Sequence, residues 1–152
     1  MQTYFEDYLL NLHELHNDIL NALKNLPAAA LDWTPTADVN SITVLVVHTV
    51  GAQRFLVGEA VAGDPANRDR DAEFKVHGLD AEALAQRLND GFEYVRSVLA
   101  GLTVEDLASV RDFRGRERSV AWILGHALKH TAIHLGHIQL MRQFWELYGG
   151  KQ

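Results

Sequence analysis

Residues 120–147 read VAWILGHALKHTAIHLGHIQLMRQFWEL, and the spacing within them decides the fold. Ile123, Ala127, Met141 and Trp145 recur at helical intervals, while Lys129, Gln139, Arg142, Gln143 and Glu146 fall on the other side. Ser119 can serve as N-cap and Gly149-Gly150 as a stop, so the run is one long amphipathic helix. Its apolar face carries histidines. His126, His130, His134 and His137 lie within an arc of roughly 80° at about 100° per residue; His130 and His134 are centred in the apolar stripe, and His126 and His137 sit at its flank.

Three more helices precede this one. The first runs from about Thr3 to Leu26, with Phe5, Leu9, Leu12, His16, Ile19, Leu23 and Leu26 forming one stripe, and Pro27 marks its end. Ser41 can cap the second, which extends to about Ala62 before Gly63-Asp64-Pro65 breaks it. The third opens near Asp80, buries Leu84, Leu88, Phe92, Val95 and Leu99, and closes before Gly101. Between them, Asn67 to Asp71 reads as a solvated stretch, Thr103 to Asp106 as a short capped turn and Arg111 to Arg118 as a charged connector around Gly115. No strand pattern competes, and there is no internal repeat or low-complexity tract.

Four apolar stripes in one chain need one another as cover, which predicts an all-α four-helix bundle in a single domain over residues 1–152. The segment from Gly63 to Leu79 could span roughly 50 Å when extended, longer than helices of about 20 to 25 residues. It can therefore cross over and leave the second and third helices parallel. A short-loop antiparallel arrangement is the alternative, with that segment as a lid or an excursion.

Composition narrows the function. The chain has 152 residues, 47% hydrophobic and 22% charged, with no cysteine and eight histidines. Zero cysteines exclude a disulfide framework, thiolate zinc sites and a cysteine nucleophile, so any metal must sit on nitrogen or oxygen. A net charge of −6 supplies no basic footprint for nucleic acid. The acidic start, Met1 to Asp7, is unlike a signal peptide. The most apolar run, Ile42 to Val50, is less than half of the roughly 20 residues that a spanning helix needs. The expectation is a cytoplasmic protein with a small-molecule substrate, no nucleic-acid partner and no membrane.

His130 and His134 stand one helical turn apart, so both imidazoles can bend toward one cation. Thr131-Ala132-Ile133 intervene where a zinc protease would carry its glutamate, so that general base is missing. His48, within Ile42-Thr43-Val44-Leu45-Val46-Val47-His48, is the candidate third ligand. Alone, it would read as a core histidine bonded to a carbonyl. Together, three neutral imidazoles in an apolar core would be costly without a metal. His16 reads as a fourth ligand, a proton relay or a boundary residue. His126 and His137 are pocket candidates on either side, and His13 and His77 read as surface residues. Glu59 and Glu14 are the available acids, with a solvated surface role as the simpler reading. Arg54 fits either a pocket anion site or, more simply, an ion pair. Trp33, Trp122 and Trp145 read as anchors.

Leu31-Asp32-Trp33-Thr34-Pro35, then Asn40-Ser41-Ile42 leading to His48, and finally His130-Thr131-Ala132-Ile133-His134-Leu135-Gly136-His137-Ile138 resemble the DinB/YfiT-like superfamily over nearly the whole chain. His137 stands where that family commonly has glutamine. The resemblance implies a bundle in up-down-down-up order, a divalent ion such as nickel or zinc held by His48, His130 and His134, and a homodimer. Its members include transferases or isomerases that use a low-molecular-weight thiol such as mycothiol or bacillithiol, and suspected hydrolases. A three-histidine site leaves open positions where either a thiol or water can be activated. The rival expectation is a non-enzymatic bundle that dimerises or sequesters a small ligand, with a structural or vestigial histidine site.

Overall fold

The computed structural model describes residues 1–149. Four major helices build it: α1 (Thr3–Leu23), α3 (Ile42–Gln53, continued by a π-helical segment Arg54–Ala62), α5 (Ala81–Ala100) and α6 (Val120–Tyr148). Short helices α2 (Ala28–Asp32) and α4 (Arg70–Glu73) lie in the connections, and a short 3-10 helix spans Val104–Ala108. α1 and α3 each pack against both α5 and α6. The expected caps are present, with Ser41 Oγ accepting from the amide of Val44 and Ser119 Oγ from that of Trp122; Asp80, at the expected start of the third helix, also caps it by accepting from the amide of Ala83. Thr103 and Asp106 form a reciprocal capping box. Gly150, half of the expected stop signal, lies outside the described residues.

Two apolar clusters fill the interior. One joins Phe5, Tyr8, Leu9 and Leu12 to Leu56, Val57 and Val61, to Val95 and Leu99, and to Val120, Ile123 and Leu124. The other joins Ile19 and Leu23 to Ile42, Leu45 and Val46, to Leu84 and Leu88, and to Leu135, Ile138 and Met141. Between them lies a polar belt. The Gln53 side-chain amide reaches His16 Nε2 at 2.8 Å and Thr131 Oγ1 at 3.0 Å, and the Thr131 hydroxyl donates to the Ala127 carbonyl at 3.0 Å. All three belt residues are buried, so each needs these bonds to offset lost hydration.

Four details depart from the sequence reading. The first helix stops at Leu23 because Asn25 takes left-handed backbone, and Pro27 begins α2 instead of ending α1. The charged connector is a β-hairpin: Val110–Asp112 (β1) pairs antiparallel with Glu117–Ser119 (β2). Its turn has Arg114 and Gly115 both at positive φ, the backbone of a hairpin turn whose commonest sequence is Asn-Gly. Strands of three residues around an Arg-Gly turn carry almost no periodic signal. The second long helix runs to Ala62 as expected, but over that full length, and not only from Ile42 to Val50, it is long and apolar enough to cross a membrane by length and composition. Most of its apolar window is buried in the bundle, as a core helix requires, and there is no second such helix among the described residues. Finally, the stretch expected to be solvated leads into α4, which returns a glutamate to the interior.

Candidate metal centre

α3 supplies His48 and α6 supplies His130 and His134, each helix placing its imidazoles at mid-length between the two apolar clusters. One nitrogen from each ring lies within 4.8 Å of the other two, so the three form a group able to chelate a divalent ion. Ring centroids stand 5.2 Å apart for His48 and His130, 5.0 Å for His48 and His134, and 4.4 Å for His130 and His134. The Nε2 atoms of His130 and His134 face each other at 3.2 Å. Two nitrogens bound at about 2.0–2.1 Å to one ion, at a near-tetrahedral angle, would sit roughly 3.3 Å apart. The observed separation fits.

Protonation favours ligation as well. Burial, reinforced by the neighbouring imidazoles, lowers the His130 pKa to about 3 and that of His134 to about 4, and burial also lowers that of His48. The rings are therefore neutral near pH 7, the form that binds metal. The Nδ1 atoms of His130 and His134 are buried with no hydrogen-bond partner. Without an ion, the two facing Nε2 atoms can share only one proton, whereas a cation between them would take up both lone pairs.

His48 is held from behind. Its Nδ1 lies 3.0 Å from Glu73 Oε2, and Glu73 in turn accepts from Arg68 Nε at 2.5 Å and from the Arg68 terminal nitrogen at 2.6 Å. That arginine nitrogen also stands 3.2 Å from Nδ1, yet a guanidinium cannot accept a proton, so the carboxylate fixes the tautomer. Nδ1–H donates to Glu73, and the Nε2 lone pair is left for a ligand. Carboxylates or carbonyls commonly orient metal-binding histidines in this way. The Phe74 ring packs 4.8 Å from that of His48. Sequence reasoning missed both Arg68, which lies in the stretch taken as solvated, and Glu73, two residues past its end. Phe74 and Val76 were the available signal, since apolar residues inside a charged stretch mark a return to the core.

The other histidines divide cleanly. His16 is buried in the polar belt, with its pKa lowered by burial to about 4, and does not join the group. His126 stacks on Trp122 at 4.9 Å with nearly parallel rings and lines a cavity of about 120 Å³ together with His48, His130 and Phe113. His137 is exposed, its ring 5.6 Å from that of His134, and it lines a separate groove with Leu45 and Phe144. His13 and His77 are exposed as expected, as are Glu14 and Glu59. Arg54 forms an ion pair with Asp64 at 2.9 Å and lies over the Tyr94 ring, so the simpler reading holds. Trp33 and Trp145 meet edge to face at 5.8 Å, whereas Trp122 is 42% exposed beside the cavity.

With this geometry in place, residues 11–138 match the family described as the DinB superfamily. The chain belongs to that superfamily. Two solved structures share the DinB fold with it. A DinB-like protein from Bacillus cereus is 16% identical, with a TM-score of 0.75 over 91% of this chain and 90% of that one. A conserved protein from Enterococcus faecalis is also 16% identical, with a TM-score of 0.77 over 94% of this chain and 97% of that one. No curated protein gives a significant match.

Proposed function

We propose that this DinB-superfamily chain is a metal-dependent enzyme in which His48, His130 and His134 hold one divalent ion, nickel or zinc, and which acts on a small molecule. The convergence of the three imidazoles, with His48 oriented by Glu73, carries the reading. Such an ion supplies Lewis acidity that can activate a thiol or a water at neutral pH. The chain contributes the rest. Glu73 and Arg68 hold His48 in one tautomer, and His126, Phe55 and Phe113 wall the cavity beside the ligands. The chain has no cysteine, so a reacting thiol is a low-molecular-weight cosubstrate. Glu73 has both oxygens engaged, which favours thiol transfer over a hydrolysis that needs a free carboxylate base.

Two further readings accompany it. Helix order is up-down-down-up: one apolar cluster gathers the starts of α1 and α6 with the ends of the second and third long helices, and the other cluster gathers the converse. The protein is a homodimer, a reading supported by Ile133, Leu140 and Leu147, which recur every seventh residue of α6 and are 50%, 45% and 53% exposed.

Elemental analysis of wild type, His130→Ala and His134→Ala tests the metal. About one equivalent per wild-type chain and its loss in both variants are expected, and unchanged stoichiometry overturns the site. Metal-loaded protein is then assayed for thiol transfer to electrophiles and for ester and amide hydrolysis. Inertness in every assay, combined with tight binding of a small molecule, favours a ligand-sequestering bundle instead.

A further inference from the structure

The hairpin that replaces the expected connector is rich in arginine, and the fold brings it to the mouth of the histidine cavity. Phe113 enters the cavity wall, its ring 5.8 Å from that of His126 and 6.1 Å from that of Phe55. Arg114, at the turn, lines the inner cavity of about 120 Å³ and also two outer clefts of about 650 and 360 Å³. Arg70, from the crossover segment, lines the inner cavity and the larger cleft, while Arg116 and Arg118 border the smaller one. The side chains of Arg70 and Arg114 lie over aromatic rings, Phe74 for the first and Phe55 and Phe113 for the second. Neither forms an ion pair among the described residues. Glu59 is the acid in the larger cleft, and one of its oxygens already accepts from the Ala66 amide.

Cations without carboxylate partners, gathered at one opening of a protein with a net charge of −6, call for an explanation. Guanidinium groups stacked on aromatic faces keep their donor edges free for oxyanions. The inner cavity has room for a few non-hydrogen atoms, so only the reacting end of a substrate reaches the histidines. The remainder must lie in the larger cleft, against Arg70 and Arg114.

We propose that Arg70 and Arg114 form an oxyanion-binding subsite, and that the molecule reaching the histidines carries at its far end a carboxylate pair or a phosphate. This rests on the proposed function only for the reaction at the inner end. The subsite itself stands on the arginines.

The test is calorimetric titration of succinate and of inorganic phosphate into as-purified and chelator-treated protein at low ionic strength. Comparison of the two probes separates a carboxylate source from a phosphate source. Arg70→Gln and Arg114→Asn should each weaken binding of the preferred anion by about ten-fold, with metal content unchanged. Asparagine accepts left-handed backbone better than arginine does, so a loss at Arg114 does not come from a broken turn. Arg96→Gln, on the exposed face of α5 where Arg96 pairs with Glu93, removes the same charge and should leave binding intact. Equal weakening by Arg96→Gln, or no binding of either anion at millimolar concentration, overturns the proposal. So does tighter binding of a short single-stranded oligonucleotide than of both small anions. Anion binding that persists in chelator-treated protein of a chain purified without metal would refute the metal reading and leave the subsite standing. Full metal occupancy with no anion binding would do the reverse.

Discussion

Replacing Glu73 separates orientation of a ligand from the ligand itself. Glu73→Gln keeps an acceptor for His48 Nδ1–H but loses the charge that binds Arg68, and Glu73→Ala loses both. Removing a group that orients a metal-binding histidine typically weakens the metal about 10- to 100-fold, or roughly 1.4–2.7 kcal/mol at 1.36 kcal/mol per decade. Glutamine should fall near the lower figure and alanine near the upper. The cost to stability is smaller than the roughly 3–5 kcal/mol of breaking a deeply buried ion pair, because Arg68 lies on a connection and can turn to solvent; about 1–2 kcal/mol is expected. Gly51 offers an independent route to the same effect. A methyl group there would collide with the Glu73 carboxylate, so Gly51→Ala should displace Glu73 and weaken the metal comparably. Zinc affinity measured by competition with a chromophoric chelator, with urea unfolding of the chelator-treated proteins alongside, reads both quantities. If Glu73→Ala binds zinc within two-fold of wild type while His130→Ala does not bind, the orienting role assigned to Glu73 is wrong.

Three other outcomes follow from the same structure. His16 is neutral when folded, with a pKa of about 4 against 6.5 when unfolded. The unfolded chain therefore binds more protons between those values, and up to about 3 kcal/mol of stability present above pH 6.5 should be lost as pH falls toward 4; urea titrations across that range should show a shallower slope for His16→Gln. Gln53→Leu strips His16 and Thr131 of their shared donor and should cost roughly 2–3 kcal/mol, visible as a lower urea midpoint at constant m-value, whereas an unchanged midpoint would show that the belt contributes no stability. Leu140→Glu on the exposed face of α6 should convert a dimer to monomers in sedimentation velocity without altering metal content, and an unaltered dimer would move the interface elsewhere.

How much was legible depended on whether the chemistry repeats along the chain. The helices announce themselves because Phe5, Leu9 and Leu12, or Leu84 and Leu88, return at helical spacing and because Ser41, Asp80 and Ser119 stand at their starts. His48, His130 and His134 were readable for the same reason, as polar residues at positions that periodicity marks as apolar. Glu73 and Arg68 were not, since they lie in a connection without a period and their meaning comes only from contact with a histidine 25 residues away from Glu73. The hairpin escaped notice because its turn is carried by Arg114-Gly115, and charge patterning there suggested a plain connector instead of a cavity wall. The long fourth helix was placed well, yet its flanking histidines had different fates that spacing could not reveal: His126 was covered by the hairpin, and His137 was left outside.

The belt of His16, Gln53 and Thr131 has a consequence for the alignment of the helices. Leucines packed on leucines tolerate sliding, because a shift of one turn, about 5.4 Å, exchanges one apolar contact for another. The same shift of α6 along α3 would carry Thr131 away from the Gln53 amide and strand buried polar atoms. It would also carry His130 and His134 past His48. The belt penalises every alignment but one, and that alignment is the one in which three imidazoles meet; a substitution that relaxes the belt should therefore disperse the metal geometry before it unfolds the chain.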